Sequence, residues 1–148
     1  MAYSDIYRQQ VTLLIRTLPY VAEETAFALK GGTAINLFVR DMPRLSVDID
    51  LTYLPVEPRA ASLKAIDEAM TRIGERIAAG IPGARIALHR PQGLGIVTKV
   101  LVEEGGTRIK IEVTPVSRGC VYEPVTMSVS AFVEAEFGYA ETQVVSFA

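Results

Sequence analysis

Residues 46–54, Ser-Val-Asp-Ile-Asp-Leu-Thr-Tyr-Leu, alternate polar and apolar side chains. A period of two belongs to a β-strand with one buried face and one wet face. The pattern predicts a strand over 46–54, with Val47, Ile49 and Leu51 in the core. Asp48 and Asp50 then project from the same side, their α-carbons about 7 Å apart. Aspartate is depleted in strands, so two of them at a strand's centre point only modestly beyond chance to a functional use.

A second run narrows the use of that face. Residues 107–115 place Ile109, Ile111 and Val113 on one side and Arg108, Lys110 and Glu112 on the other. If the sheet aligns this strand with 46–54, Asp48, Asp50 and Glu112 share one polar surface. Three crowded carboxylates repel unless a cation lies between them, and hard oxygen donors suit Mg²⁺, or Mn²⁺ in its place. Two such ions can activate an attacking oxygen and stabilise a leaving one in nucleotidyl transfer. The plainer alternative, the wet face of an amphipathic strand, is equally open from Asp48 and Asp50 alone.

Gly31-Gly32 follows an extended run at 25–30 and precedes a short helix starting near Thr33. Glycines there allow close approach of the backbone, and a helix N-terminus favours an anion such as a triphosphate. Lys30 and Thr33 flank the pair, and Thr33 can cap the helix. A plain turn into a helix uses the same residues. Neither the spacing of a P-loop nor that of a dinucleotide fold is present. An earlier start to the 46–54 strand would add Arg44 and Ser46 to the acidic face.

The rest of the chain reads as α+β, with a mixed or antiparallel sheet and helices packed on it. Tyr7, Val11, Leu14, Ile15 and Leu18 predict a helix over 4–18, capped by Ser4 and ending near Pro19. Leu63, Ile66, Met70, Ile73 and Ile77 stripe a second, ended by Gly80 and Pro82. Strands are expected at 84–89, 95–103, 107–115, near 124–128 and at 142–146, with a helix near 130–137. Gly105-Gly106 predicts a hairpin turn.

The 148 residues suit one domain, long enough to bury about two-thirds of the unfolded surface. Net charge is −2, so a nucleic-acid partner would have to meet a local basic patch. The lone Cys120 and lone His89 exclude an intrachain disulfide and Cys- or His-based metal sets. Cys120 reads as structural or incidental, and His89 as a surface or strand-end residue. No apolar run is long enough to span a membrane, so a cytoplasmic protein is expected.

Together, "LKGGTAINLF" (29–38), "PRLSVDIDL" (43–51) and "IKIEV" (109–113) resemble the AbiEii/AbiGii toxin family. That family has the DNA polymerase β-like nucleotidyltransferase fold, and the resemblance covers about residues 24–115. It implies that Asp48 and Asp50 hold catalytic metals and that Glu112 binds a metal or activates an acceptor hydroxyl. Gly31 and Gly32 would cradle a nucleoside triphosphate, with Lys30, Thr33, Arg44 and Ser46 contacting phosphate or ordering the site. The implied acceptor is RNA, foremost transfer RNA, and the implied partner is a cognate antitoxin, either a protein or a gene-level repressor. Two departures stand out: Glu112 replaces a commoner aspartate, and the family's downstream lysine helix and "R-x-x-D-[LI]-x-D" motif are absent. The ending "VVSFA" suggests a fragment or a reduced relative. Transfer to a protein hydroxyl, or non-catalytic nucleotide binding, are the competing readings.

Overall fold

The computed structural model describes residues 5–30, 48–55, 57–113, 125–128, 134 and 141–144. Among these residues, seven strands form a mixed sheet in the order β3-β4-β5-β2-β1-β7-β6. The strands are β1 (Phe27–Lys30), β2 (Asp48–Tyr53), β3 (Arg85–His89), β4 (Lys99–Glu104), β5 (Thr107–Val113), β6 (Val125–Ser128) and β7 (Glu141–Val144). Helices α1 (Asp5–Ala22) and α2 (Arg59–Gly80) pack on one side of it.

Alternation decides which way each strand faces. Ile49 and Leu51 of β2, Val100 and Val102 of β4, and Ile109, Ile111 and Val113 of β5 are all buried. They meet Val11, Leu14, Ile15 and Leu18 from α1 and Ile66, Met70, Ile73 and Ile77 from α2 in one cluster. Each fully buried aliphatic side chain contributes about 1.5–3 kcal/mol of transfer free energy. The α2 stripe lies close to the sheet because Gly74 has no side chain. A methyl there would stand 3.0 Å from Leu88 and 3.1 Å from Ile86.

Glu24, between α1 and β1, ties these layers together. Arg72 of α2 donates to both of its oxygens, Nη2 to Oε1 at 2.7 Å and Nε to Oε2 at 2.9 Å. Arg76, one turn on, donates to Glu24 as well. The hydrogen bonds from Arg72 hold the Glu24 carboxyl below the usual carboxylate range, overcoming the opposing effect of burial.

Two expectations change. The first helix does not stop at Pro19; it runs to Ala22 with the proline inside it. Pro19 removes one backbone donor, but Leu18 and Val21 on either side of it are buried, and their packing carries the helix on. The 95–103 strand begins only at Lys99. Before it, Thr98 bridges two strands, its amide donating to His89 and its carbonyl accepting from Val113. The expected helices from Thr33 and near 130–137 lie outside the described residues, apart from a helical Glu134.

Candidate active site

β2 and β5 are parallel neighbours, although far apart in sequence. Their register sets Asp48 opposite Lys110 and Asp50 opposite Glu112. Because Ile49, Leu51, Ile111 and Val113 turn toward the helices, the intervening acids turn away from them. Directly opposed side chains in neighbouring strands stand roughly 5 Å apart at Cβ. The sheet therefore brings Asp48, Asp50 and Glu112 onto one patch. β1 lies on the other side of β2, with Lys30 opposite Asp50 in the backbone register.

Two lysines enter this patch. Lys110 Nζ is 3.6 Å from Asp48 Oδ2 and 4.0 Å from Glu112 Oε1. Lys99 of β4, opposite Glu112 in register, places its Nζ 3.8 Å from Glu112 Oε2. The sequence had already placed Lys110 on the face of Glu112, two residues before it on the same strand, whereas it gave no sign of Lys99.

The carboxylates suit a hard divalent cation in kind, and the register puts them side by side. Among the described residues, however, no three His, Cys, Asp or Glu side chains are drawn together closely enough to hold a metal. Lysine ammonium groups neutralise Asp48 and Glu112 instead. Gly31, Gly32, Thr33, Arg44 and Ser46 lie outside the described residues.

His89 is exposed at the end of β3 and stands across from Lys99. Among the described residues, no helix is long and apolar enough to cross a membrane.

This arrangement can be set beside known proteins. The family model for the nucleotidyl transferase AbiEii toxin of type IV toxin–antitoxin systems matches residues 12–148. The chain belongs to the AbiEii nucleotidyltransferase toxin family. Its fold is similar to that of MenT4, the nucleotidyltransferase toxin Rv2826c from Mycobacterium tuberculosis H37Rv, with a TM-score of 0.61 and 16% sequence identity. The alignment covers 95% of this chain and 49% of that one, so this AbiEii chain spans about half the length of that toxin. No curated protein sequence matches it. The family match and the shared fold give the sheet a polymerase β-like nucleotidyltransferase frame.

Proposed function

We propose that this AbiEii chain transfers a nucleotide from a nucleoside triphosphate to a hydroxyl of RNA, foremost transfer RNA, and that a cognate antitoxin opposes it. One observation carries the reading: the parallel β2–β5 register that pairs Asp50 with Glu112 and keeps Asp48 on the same face. In the chemistry proposed, the acceptor oxygen bonds to the α-phosphorus while the bond from that phosphorus to pyrophosphate breaks. Glu112 takes the hydroxyl proton. Asp48, Asp50 and Glu112, once drawn closer than they stand in the structure, would hold Mg²⁺, which when bound neutralises charge building on the phosphoryl oxygens and on the departing pyrophosphate.

Lys30, Gly31, Gly32 and Thr33 would seat the triphosphate, and Arg44 and Ser46 would orient it. For Lys30 the backbone supports this, because its register opposite Asp50 puts the end of β1 beside the acids. The test is a labelled-triphosphate transfer assay using each of the four nucleotides with Mg²⁺. Acceptors are a transfer-RNA pool and, separately, cell-lysate protein. Label in RNA that disappears in Asp48→Asn/Asp50→Asn is the expected result. Label confined to a protein band, or equal labelling by the variant, refutes the reading.

A further inference from the structure

The open face of the sheet continues past the acids, and its charge changes sign. Three rows cross β3, β4 and β5 in register. Arg85, Glu103 and Arg108 form one, Ala87, Leu101 and Lys110 the next, and His89, Lys99 and Glu112 the last. Beyond Glu112 the same row continues into Asp50, and beyond Lys110 into Asp48. The side chains of Arg85 and Arg108 are 83% and 80% exposed, although both reach Glu103, at 3.5 and 3.0 Å. Their long arms thus lie on solvent and converge on a single carboxylate. Leu101 at the centre is the exposed large apolar residue among those described. A depression of about 370 Å³ opens around Arg85, Leu101, Glu103 and Arg108.

We infer that this β3–β5 face seats the phosphodiester backbone of the acceptor RNA, bringing its reacting hydroxyl to the adjoining carboxylates. The inference rests on the transfer reaction proposed above and adds where its acceptor lies. Four cations, Arg85, Lys99, Arg108 and Lys110, face one carboxylate on these strands other than Glu112 itself. The net charge of −2 for the whole chain makes such a concentration informative, since it leaves the remaining surface more acidic. Guanidinium forks suit phosphate oxygens, and Leu101 offers an apolar floor against which a base can lie. Continuity with Asp48, Asp50 and Glu112 favours the reacting strand over an acidic protein as occupant.

The test measures anisotropy of a short fluorescein-labelled single-stranded RNA with Mg²⁺, across a salt series, on the full chain. Arg85→Ala/Arg108→Ala should weaken binding by roughly tenfold and flatten the slope of log K against log salt by about 1.4, two contacts at about 0.7 each. Glu103→Gln should bind severalfold more tightly, a gain that misfolding cannot imitate. Arg8→Ala/Arg16→Ala, in a separate depression between α1 and the β4–β5 turn, should leave affinity and slope unchanged. Equal affinity in the Arg85/Arg108 variant, equal loss in the Arg8/Arg16 variant, no gain from Glu103→Gln, or no RNA binding at all would each overturn the inference. Nucleotide binding measured by calorimetry on the same samples, and transfer to a protein acceptor, judge the underlying reaction separately.

Discussion

The helix layer and the open face of the sheet both carry ion pairs between arginine or lysine and carboxylates, but they hold them differently. Glu24 is gripped by Arg72 through two hydrogen bonds of 2.7 and 2.9 Å, and its side chain is 7% exposed. On the open face Lys110 and Lys99 stand 3.6 to 4.0 Å from Asp48 and Glu112, with side chains 27–41% exposed. At such separations near solvent a pair contributes about 0–1 kcal/mol. A pair that weak is easily exchanged for a divalent cation or a phosphate, while the Glu24 cluster is built to stay closed. Burial, more than distance, separates the two: even the 3.0 Å hydrogen bond from Arg108 to Glu103 on the open face lies on solvent, where ligands can compete.

Separating the two regions by mutation should break that comparison if it is wrong. Asp48→Asn/Asp50→Asn should lower nucleotide transfer by at least about a hundredfold, the scale of losing an electrostatic element aimed at the transition state. Its unfolding free energy, from urea titration, should change by no more than about 0.5 kcal/mol, as for surface sites. Glu24→Gln should do the reverse. Breaking a buried pair costs about 3–5 kcal/mol, and the 48% exposure of Arg72 reduces this to roughly 2–3 kcal/mol. Transfer per folded molecule should stay within about twofold of wild type, within the latitude of a site not in contact. Equal damage to stability from both variants would erase the distinction.

The same Glu24 cluster sets a pH dependence. Its carboxyl is held below its ordinary value of 4.5, first by the Arg72 hydrogen bonds. The unfolded chain therefore binds the proton more readily, and the cluster's stabilisation is complete above about pH 4.5. It is lost as pH falls through the lower folded value. Urea titrations of wild type and Glu24→Gln should differ fully at pH 6 and converge in acid. A gap that widens in acid would mean that Glu24 is not held as an anion.

Metal competition sharpens the open-face half. Lys110→Met removes the ammonium between Asp48 and Glu112. Without nucleotide, Mn²⁺ measured by electron paramagnetic resonance should bind severalfold more tightly, the scale of a pair worth up to about 1 kcal/mol. Weaker Mn²⁺ binding would make Lys110 a support for the carboxylates instead of their competitor.

Much of this was legible because burial imposes a period. The alternation in β2 and β5 announced their polar faces, and Gly105-Gly106 announced the β4–β5 turn, where both residues take positive φ, +58° and +84°. The pairing of β2 with β5 was not legible, since alternation tells a strand which side faces the core and not which strand lies beside it. The grip of Arg72 and Arg76 on Glu24 spans 48 and 52 residues, with no local pattern to betray it. Pro19 misled because its local cost to a helix was outweighed by tertiary packing, which no propensity contains. At the candidate site the acids were visible as a motif. Lys110 was visible on the face of Glu112 by the same alternation, but its approach to Asp48, and that of Lys99 to Glu112, had to wait for the register.

The smallest expected effect lies where the two regimes share one strand. β2 begins with Asp48 and Asp50 on the open face and ends with Tyr53, buried against Phe27 with ring centroids 6.0 Å apart. The Tyr53 hydroxyl donates to Glu57 Oε1 at 2.6 Å, and burial, then that hydrogen bond, pushes its pKa up to about 12. Tyr53→Phe keeps the ring contact and loses the bond, so it should cost about 1 kcal/mol at neutral pH. Since the folded value lies above the ordinary 10.0, that contribution persists below pH 10 and disappears as pH rises through about 12. Urea curves at pH 7, 10 and 12 should show the wild-type advantage shrinking over the last interval. Transfer activity should change little, because the phenol lies on the helix side while Asp48 and Asp50 face away. A large loss of activity would mean that strain at the buried end of β2 reaches its open end, and that the two regimes are coupled along the strand.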